Sequence, residues 1–246
     1  ANVLTFKGGD DYIVLPHFSR PDFMTIEARI KTTAAALQSI VFWGGEEIRF
    51  GLSNTGAPTY NEIQYGSAGS VVTSSSAVND GQWHHIAVVR AGSGLNNITI
   101  YIDGIKAGTG TSTISVSTSS LTIGSWAGWA EFFNGQIDEV RIWNRALCGG
   151  EIAQNKGCEL GSGQTGLKAY YKFNQGNSGT SNAGITSLTD ASGNNFNGTL
   201  TNFDLTGNDN WMAASSGVSG NCSSFTTSAV TASSKSPVTV GDALNL

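Results

Sequence analysis

Trp126 and Trp129 stand three positions apart in Gly124-Ser125-Trp126-Ala127-Gly128-Trp129-Ala130-Glu131, large flat rings set among residues too small to cover them. Rings so placed suit stacking against the CH faces of a pyranose, whose hydroxyl edges are then met by amides and carboxylates. The same pattern arises where Trp side chains cap the edge of a core, so both roles stay open. Tyr60 and Gln64, in Pro58-Thr59-Tyr60-Asn61-Glu62-Ile63-Gln64-Tyr65, share one face of an extended segment and form a second candidate sugar contact.

Catalysis finds less support. Retaining hydrolysis of a glycoside needs two carboxyl groups about 5–5.5 Å apart. In Gln136-Ile137-Asp138-Glu139-Val140 the carboxylates are adjacent, so a regular strand sends them to opposite faces, and the Gln136 amide cannot form a glycosyl ester. His84 and His85 diverge for the same reason, and no serine or cysteine in a nucleophile-elbow pattern accompanies them. These residues point to binding rather than to turnover.

Cys148 and Cys158, ten positions apart, are near enough to close a small loop. A disulfide between them would contribute ~2–3 kcal/mol in an oxidising compartment, by a model-dependent mechanism. A zinc site would need four close ligands, and His17, His84 and His85 are distant in sequence. Cys222 has no evident partner within the chain.

The elements that must position these residues are short strands. Met24–Ile30, Ile48–Leu52, Ile98–Ile102 and Glu139–Trp143 place apolar residues at every second position. Asp80-Gly81, Asp103-Gly104 and Asn134-Gly135 supply turns between them. Only 145–156 hints at a helix, against its paired Gly149 and Gly150. Charged residues make up 13% of the 246 positions, Gly contributes 32, and 11 Phe, 6 Trp and 6 Tyr can fill one β core. A net charge of −5 offers no extended positive field, which argues against nucleic acid and against peripheral membrane binding. No apolar run approaches the ~20 residues of a membrane span. From about Ala214 the chain turns Ser/Thr-rich and reads as a linker, or as the start of a further module.

Four segments in one order carry a resemblance: 6–16, Asp80–Arg90, Ile100–Lys106 and Phe133–Leu147 resemble a laminin-G-like domain of the concanavalin A-like lectin/glucanase superfamily, over about residues 1–150. Segments 167–174 and 190–200 resemble the strand and loop that usually precede the first of these motifs, yet here they follow the last. They complete the sandwich in permuted order or begin a second repeat; the permuted or extended sandwich is preferred. The resemblance implies an all-β jelly-roll sandwich of two antiparallel sheets with one short helix or turn, occupying 1–213, with 214–246 outside it.

The family often holds one Ca²⁺, and carried over by motif its ligands would be the side chains of Asp11 and Asp138 with carbonyls from Gly8 or Gln136. The alternative is that both Asp residues accept turn N–H groups. Asp190, Asn194 and Asn197 form a second oxygen-rich loop. The expected function is a non-catalytic, calcium-stabilised carbohydrate-binding or adhesion module of an extracellular or cell-surface bacterial protein. Its partners would be a polysaccharide or glycan and other modules of the same parent chain. A structural spacer or protein-interaction domain without a glycan site is the alternative, and a glycan-active enzyme is the weakest reading.

Overall fold

The computed structural model describes residues 2–45, 47–63, 70–112, 118–213, 218 and 220–222. Alternating sequence becomes sixteen strands: β1 (Asn2–Lys7), β2 (Tyr12–Leu15), β3 (Phe23–Lys31), β4 (Gln38–Gly45), β5 (Glu47–Leu52), β6 (Pro58–Ile63), β7 (Ser70–Thr73), β8 (His84–Ala91), β9 (Ile98–Ile102), β10 (Ile105–Gly110), β11 (Thr118–Ile123) and β12 (Asn134–Trp143), then β13 (Leu167–Tyr171), β14 (Ser187–Leu188), β15 (Gly198–Thr201) and β16 (Trp211–Ala213). Among the described residues one helix, α1 (Gly149–Asn155), lies between β12 and β13.

The strands form two sheets, with antiparallel pairing between the named strands, in the arrangement of a concanavalin A-like jelly roll. The first runs β10-β9-β8-β3-β12-β1-β16, and the second β14-β15-β2-β11-β4-β5-β6-β7. β12 is the longest strand and is shared: residues 134–137 pair with β1, while 140–143 pair with β13. Between the sheets the inward faces interlock around Trp43, Phe50, Tyr60, Phe133, Tyr171 and Trp211, all essentially inaccessible. Each such ring stabilises the fold by roughly 1.5–3 kcal/mol relative to exposure. Tyr60 pairs in register with Phe50 and Val72, so its side chain joins the core and is not a sugar contact. Alternation gave the face shared with its neighbours, but only the pairing shows that this face is the buried one.

A smaller apolar cluster lies on the outside of the first sheet, where Ile152 of α1 packs with Trp143, Val89 and Leu160. The helix forms despite its two N-terminal glycines because Glu151 accepts the Cys148 N–H at 2.8 Å, and Arg145 reaches the same carboxylate at 2.7 Å. That helix also corrects the expected disulfide. It separates Cys148 from Cys158 by a rise of roughly 10 Å, beyond the ~7 Å reach of a disulfide. Cys158 instead bonds Cys222 across 64 residues, and Cys148 is free and exposed. The backbone follows the cross-link, with Cys222 N donating to Glu159 O at 2.7 Å.

Closing a loop of 64 residues stabilises the fold by about 4 kcal/mol in the chain-entropy treatment. Replacing both Cys158 and Cys222 by Ser should therefore move the denaturation midpoint down by a large fraction of total stability. Cys148→Ser should leave it within experimental scatter, as chemical denaturation of the three proteins will show.

Candidate functional site

The connection between β11 and β12 folds back over the outer face of the second sheet. In register across that face lie Val14, Thr122, Phe42 and Arg49, from β2, β11, β4 and β5. Above them the chain reverses tightly. Trp129 N donates to Trp126 O at 2.9 Å, Trp126 N to Ala130 O at 2.8 Å, and Gly128 N to Ser125 Oγ at 2.9 Å. Ala127 and Gly128 have φ of +52° and +77°, the positive pair of a type I′ turn. A Cβ on Gly128 would lie 2.6 Å from Cζ of Tyr12, so this position excludes other residues by contact as well as by backbone.

The turn separates the two candidate Trp rings. Trp129 projects outward, 86% exposed. Trp126 is half-buried, with the Arg49 guanidinium 4.6 Å from its ring centroid and Phe42 at 6.5 Å. A cation–π contact of this kind contributes about 0.5–2 kcal/mol and holds Arg49 flat against the sheet. Trp126 thus packs against the sheet, while Trp129 stands clear of it.

Glu131 completes the cluster. Its φ of +52° costs about 1–2 kcal/mol for a residue with a Cβ, and the surrounding bonds hold it there. Its carbonyl accepts Ser39 N at 2.8 Å, and its carboxylate accepts the Ser39 hydroxyl at 2.8 Å and an Arg49 N–H. The Arg49–Glu131 ion pair is largely withdrawn from water, with side-chain exposures of 17% and 13%. Beside it opens a cleft of about 170 Å³ lined by Gln38, Ser39, Arg49, Gly51, Thr59, Glu131 and two leucines. Gln38 is 2% exposed; its Oε1 accepts Asn134 N at 2.8 Å, while its Nε2 has no partner among the described residues. Buried donors are rarely left so, because an unmade hydrogen bond costs ~1–3 kcal/mol.

Sequence reasoning missed Gln38, Ser39, Arg49 and Glu131 as a group because they lie on three separate segments. One signal was legible: Arg49 interrupts Ile48-Arg49-Phe50-Gly51-Leu52 at an outward position. Gln64 lies outside the described residues.

The predicted calcium ligands are not brought together. Asp11 is 4% exposed, its carboxylate accepts Lys7 N at 2.7 Å, and burial raises its pKa. Lys7 pairs with Asn134 at the start of β12, whereas Asp138 lies four residues along that strand, roughly 13 Å away. A single Ca²⁺ binds oxygens at about 2.3–2.6 Å, so one ion cannot span them. Asp138 instead faces Arg29 across the sheet and accepts Glu139 N at 2.9 Å. Gly8 and Gln136 do not change this, and the quartet does not fit a calcium ion. The Asp190 loop is satisfied internally: its carboxylate accepts N–H groups of Tyr170, Ser192 and Phe196, each at 2.9 Å, and Asn197 caps Asp190 N.

The histidines and β12 carboxylates have other roles. His84 bridges Asp103 at 2.8 Å and Asp80 at 3.1 Å. His85 is enclosed, and burial together with Arg141 and Arg29 pushes its pKa well down. A register shift between Asp138 and Arg141 alters the expected divergence: Glu139, at φ +52°, turns to Arg141 on the side where Asp138 meets Arg29. Glu27 and Glu139 both approach Arg141 but are 0% and 2% exposed, without access for a substrate.

Residues 7–153 match the laminin G family model described as the concanavalin A-like lectin/glucanases superfamily. In structure, 86% of the chain is similar to 61% of a putative carbohydrate binding protein from Bacteroides ovatus, with TM-score 0.64 and 19% identity. A heptameric SAP-like pentraxin from Limulus polyphemus matches 62% of the chain over 80% of its own, with TM-score 0.50 and 16% identity. The sialidase CBM40 from Ruminococcus gnavus bound to α2,6 sialyllactose matches 62% over 95%, with TM-score 0.51 and 16% identity. These are likenesses of fold. No curated protein sequence matches the chain.

If Asp11 and Asp138 are turn and strand acceptors rather than metal ligands, Asp11→Asn and Asp138→Asn will each shift the melting midpoint equally in Ca²⁺ and in chelator. Differential scanning calorimetry under both conditions checks this.

Proposed function

The chain belongs to the concanavalin A-like lectin/glucanase superfamily, and from that footing we propose that it is a non-catalytic carbohydrate-binding module whose site is the Trp129 platform and the adjoining Gln38–Arg49–Glu131 cleft. The superfamily hosts more than one function, so the reading rests on the site and not on the fold. The observation that carries it is the Trp129 ring, 86% exposed on a tight turn two residues from Glu131, whose carboxylate meets Ser39 and Arg49 in the wall of a polar cleft.

At about 170 Å³ the cleft is smaller than the roughly 300–1,000 Å³ of drug-sized sites. It suits one sugar residue, with the neighbouring residue laid against Trp129. Glu131 and Ser39 would accept and donate to hydroxyls, and Arg49 would hold Glu131 in place. The fold relatives include a putative carbohydrate binding protein and a sialyllactose-bound module, which is consistent with this use of the architecture. The Cys158–Cys222 disulfide fits an oxidising compartment, so we place the module outside the cytoplasm, within a secreted or surface-displayed protein. Calcium has no part in this reading, since the quartet implied by the resemblance does not fit an ion.

Trp129→Ala should reduce retention on a binding glycan at least tenfold while leaving the melting temperature within a few degrees, because so exposed a ring contributes little to packing. Glu131→Ala should lose retention and also some stability, since it leaves Arg49 without its ion partner. A glycan array followed by calorimetric melting reads both. A folded protein that retains no neutral or acidic glycan would instead be a spacer or protein-interaction domain.

A further inference from the structure

The opposite outer face of the sandwich carries a polar groove that the site above does not use. Thr5 pairs in register with Gln136, and Gln136 with Lys31, so the three side chains form a row across β1, β12 and β3. Two clefts meet at this row, one of about 470 Å³ reaching Lys7, Asp209 and Met212, the other of about 270 Å³ reaching Lys31. No residue of α1 lines either cleft. Where they join, Gly135 has φ +148°, and a Cβ there would lie 2.2 Å from the Lys31 carbonyl oxygen, so bare backbone is required at the junction.

The polar groups of this groove are unspent. Thr5 Oγ1 is buried without a hydrogen-bond partner among the described residues. The half-buried Gln136 side chain makes no hydrogen bond to a described residue, and Lys31 has no ion pair with one. Lys7 does have a partner, Asp209 at 3.5 Å, but both are exposed at 44% and 62%, and such pairs contribute ~0–1 kcal/mol. Hence a chain of net charge −5 presents here an uncompensated ammonium beside a free amide, over a buried hydroxyl without a partner among the described residues. Met212, 37% exposed, supplies an apolar wall.

We propose that this groove binds a stretch of anionic polysaccharide. Lys31 takes a carboxylate or sulfate, the Gln136 amide takes a neighbouring ring hydroxyl, and Met212 meets a CH face. This surface is separate from the Trp129 turn, and the inference stands or falls independently of the function proposed above.

Affinity electrophoresis of the whole chain through gels containing polygalacturonate, dextran sulfate or neutral dextran tests it. Retention by either anionic polymer and not by dextran is expected, weakening as salt is added; the stronger of the two identifies the anion as carboxylate or sulfate. Lys31→Ala and Gln136→Ala should each weaken retention at least fivefold, with melting temperatures close to the parent. Lys106→Ala, an exposed lysine on β10, should not. Equal mobility in all three polymers, equal loss in Lys31→Ala and Lys106→Ala, or unchanged retention in Gln136→Ala would overturn the proposal, because the last two are the behaviour of diffuse charge attraction.

Discussion

Arg141 is the side chain around which the outer layer of the first sheet is built. It is 1% exposed, and a buried charge stripped of its partner destabilises a protein by about 3–5 kcal/mol. Glu27 approaches it from β3 and Glu139 from its own strand, while the carbonyls of Asn155 and Cys158 accept N–H groups of its two terminal nitrogens. Burial alone would lower its pKa, and the two carboxylates outweigh that and hold it above its ordinary value. The same burial raises the pKa of both Glu27 and Glu139. Tyr170 of β13 donates to Glu139, and Trp143 Nε1 donates to Glu27 at 3.0 Å. One guanidinium thereby fixes the end of α1, the segment leading to the disulfide, and the strand that extends β12. That end of the face is tightly occupied, which leaves ligand binding to the rest of the surface.

The Trp129 site is stiff for a related reason. A loop of ten residues would ordinarily sample many conformations, and ordering it on ligand binding would oppose affinity. Here Ala127, Gly128 and Glu131 are already committed to positive φ, with Gly128 tied by a hydrogen bond within the loop and Glu131 by one to β4. The strain at Ala127 and Glu131 is offset within the fold before any sugar arrives. What remains exposed is a ring with few degrees of freedom, beside donors and acceptors in place.

The sandwich was legible because its signal is local. Period two in Met24–Ile30 and Ile98–Ile102 reports a strand wherever the partner lies, although the first is buried on both faces, and Asp103-Gly104 needs only its own backbone to turn. What failed to show in sequence depended on contacts between distant segments. Tyr60 sits on a readable face, but β5 and β7 decide that the face is inward. Cys158 prefers a cysteine 64 positions away to one ten positions away because a helix intervenes. Arg49 and Glu131 meet across 82 residues, a distance no periodicity encodes. Asp138 and Glu139 diverge on a regular strand, and a register shift undoes that rule at the place where Arg141 requires it.

Neither surface has the means for tight capture of a short ligand. Association costs at least ~4 kcal/mol of translational and rotational freedom, and each hydrogen bond to a sugar returns about 0.5–1.5 kcal/mol net. One exposed ring and a few such bonds therefore lead to affinities near millimolar, where the free energy is about −4 kcal/mol. Two weak surfaces gain avidity only when one ligand reaches both, and these lie on opposite sides of a two-sheet stack about 10 Å thick between backbones. A disaccharide cannot span that distance, and a stiff polymer cannot fold around it. Two separate polymer strands can lie one on each face, whereas one short chain cannot engage both.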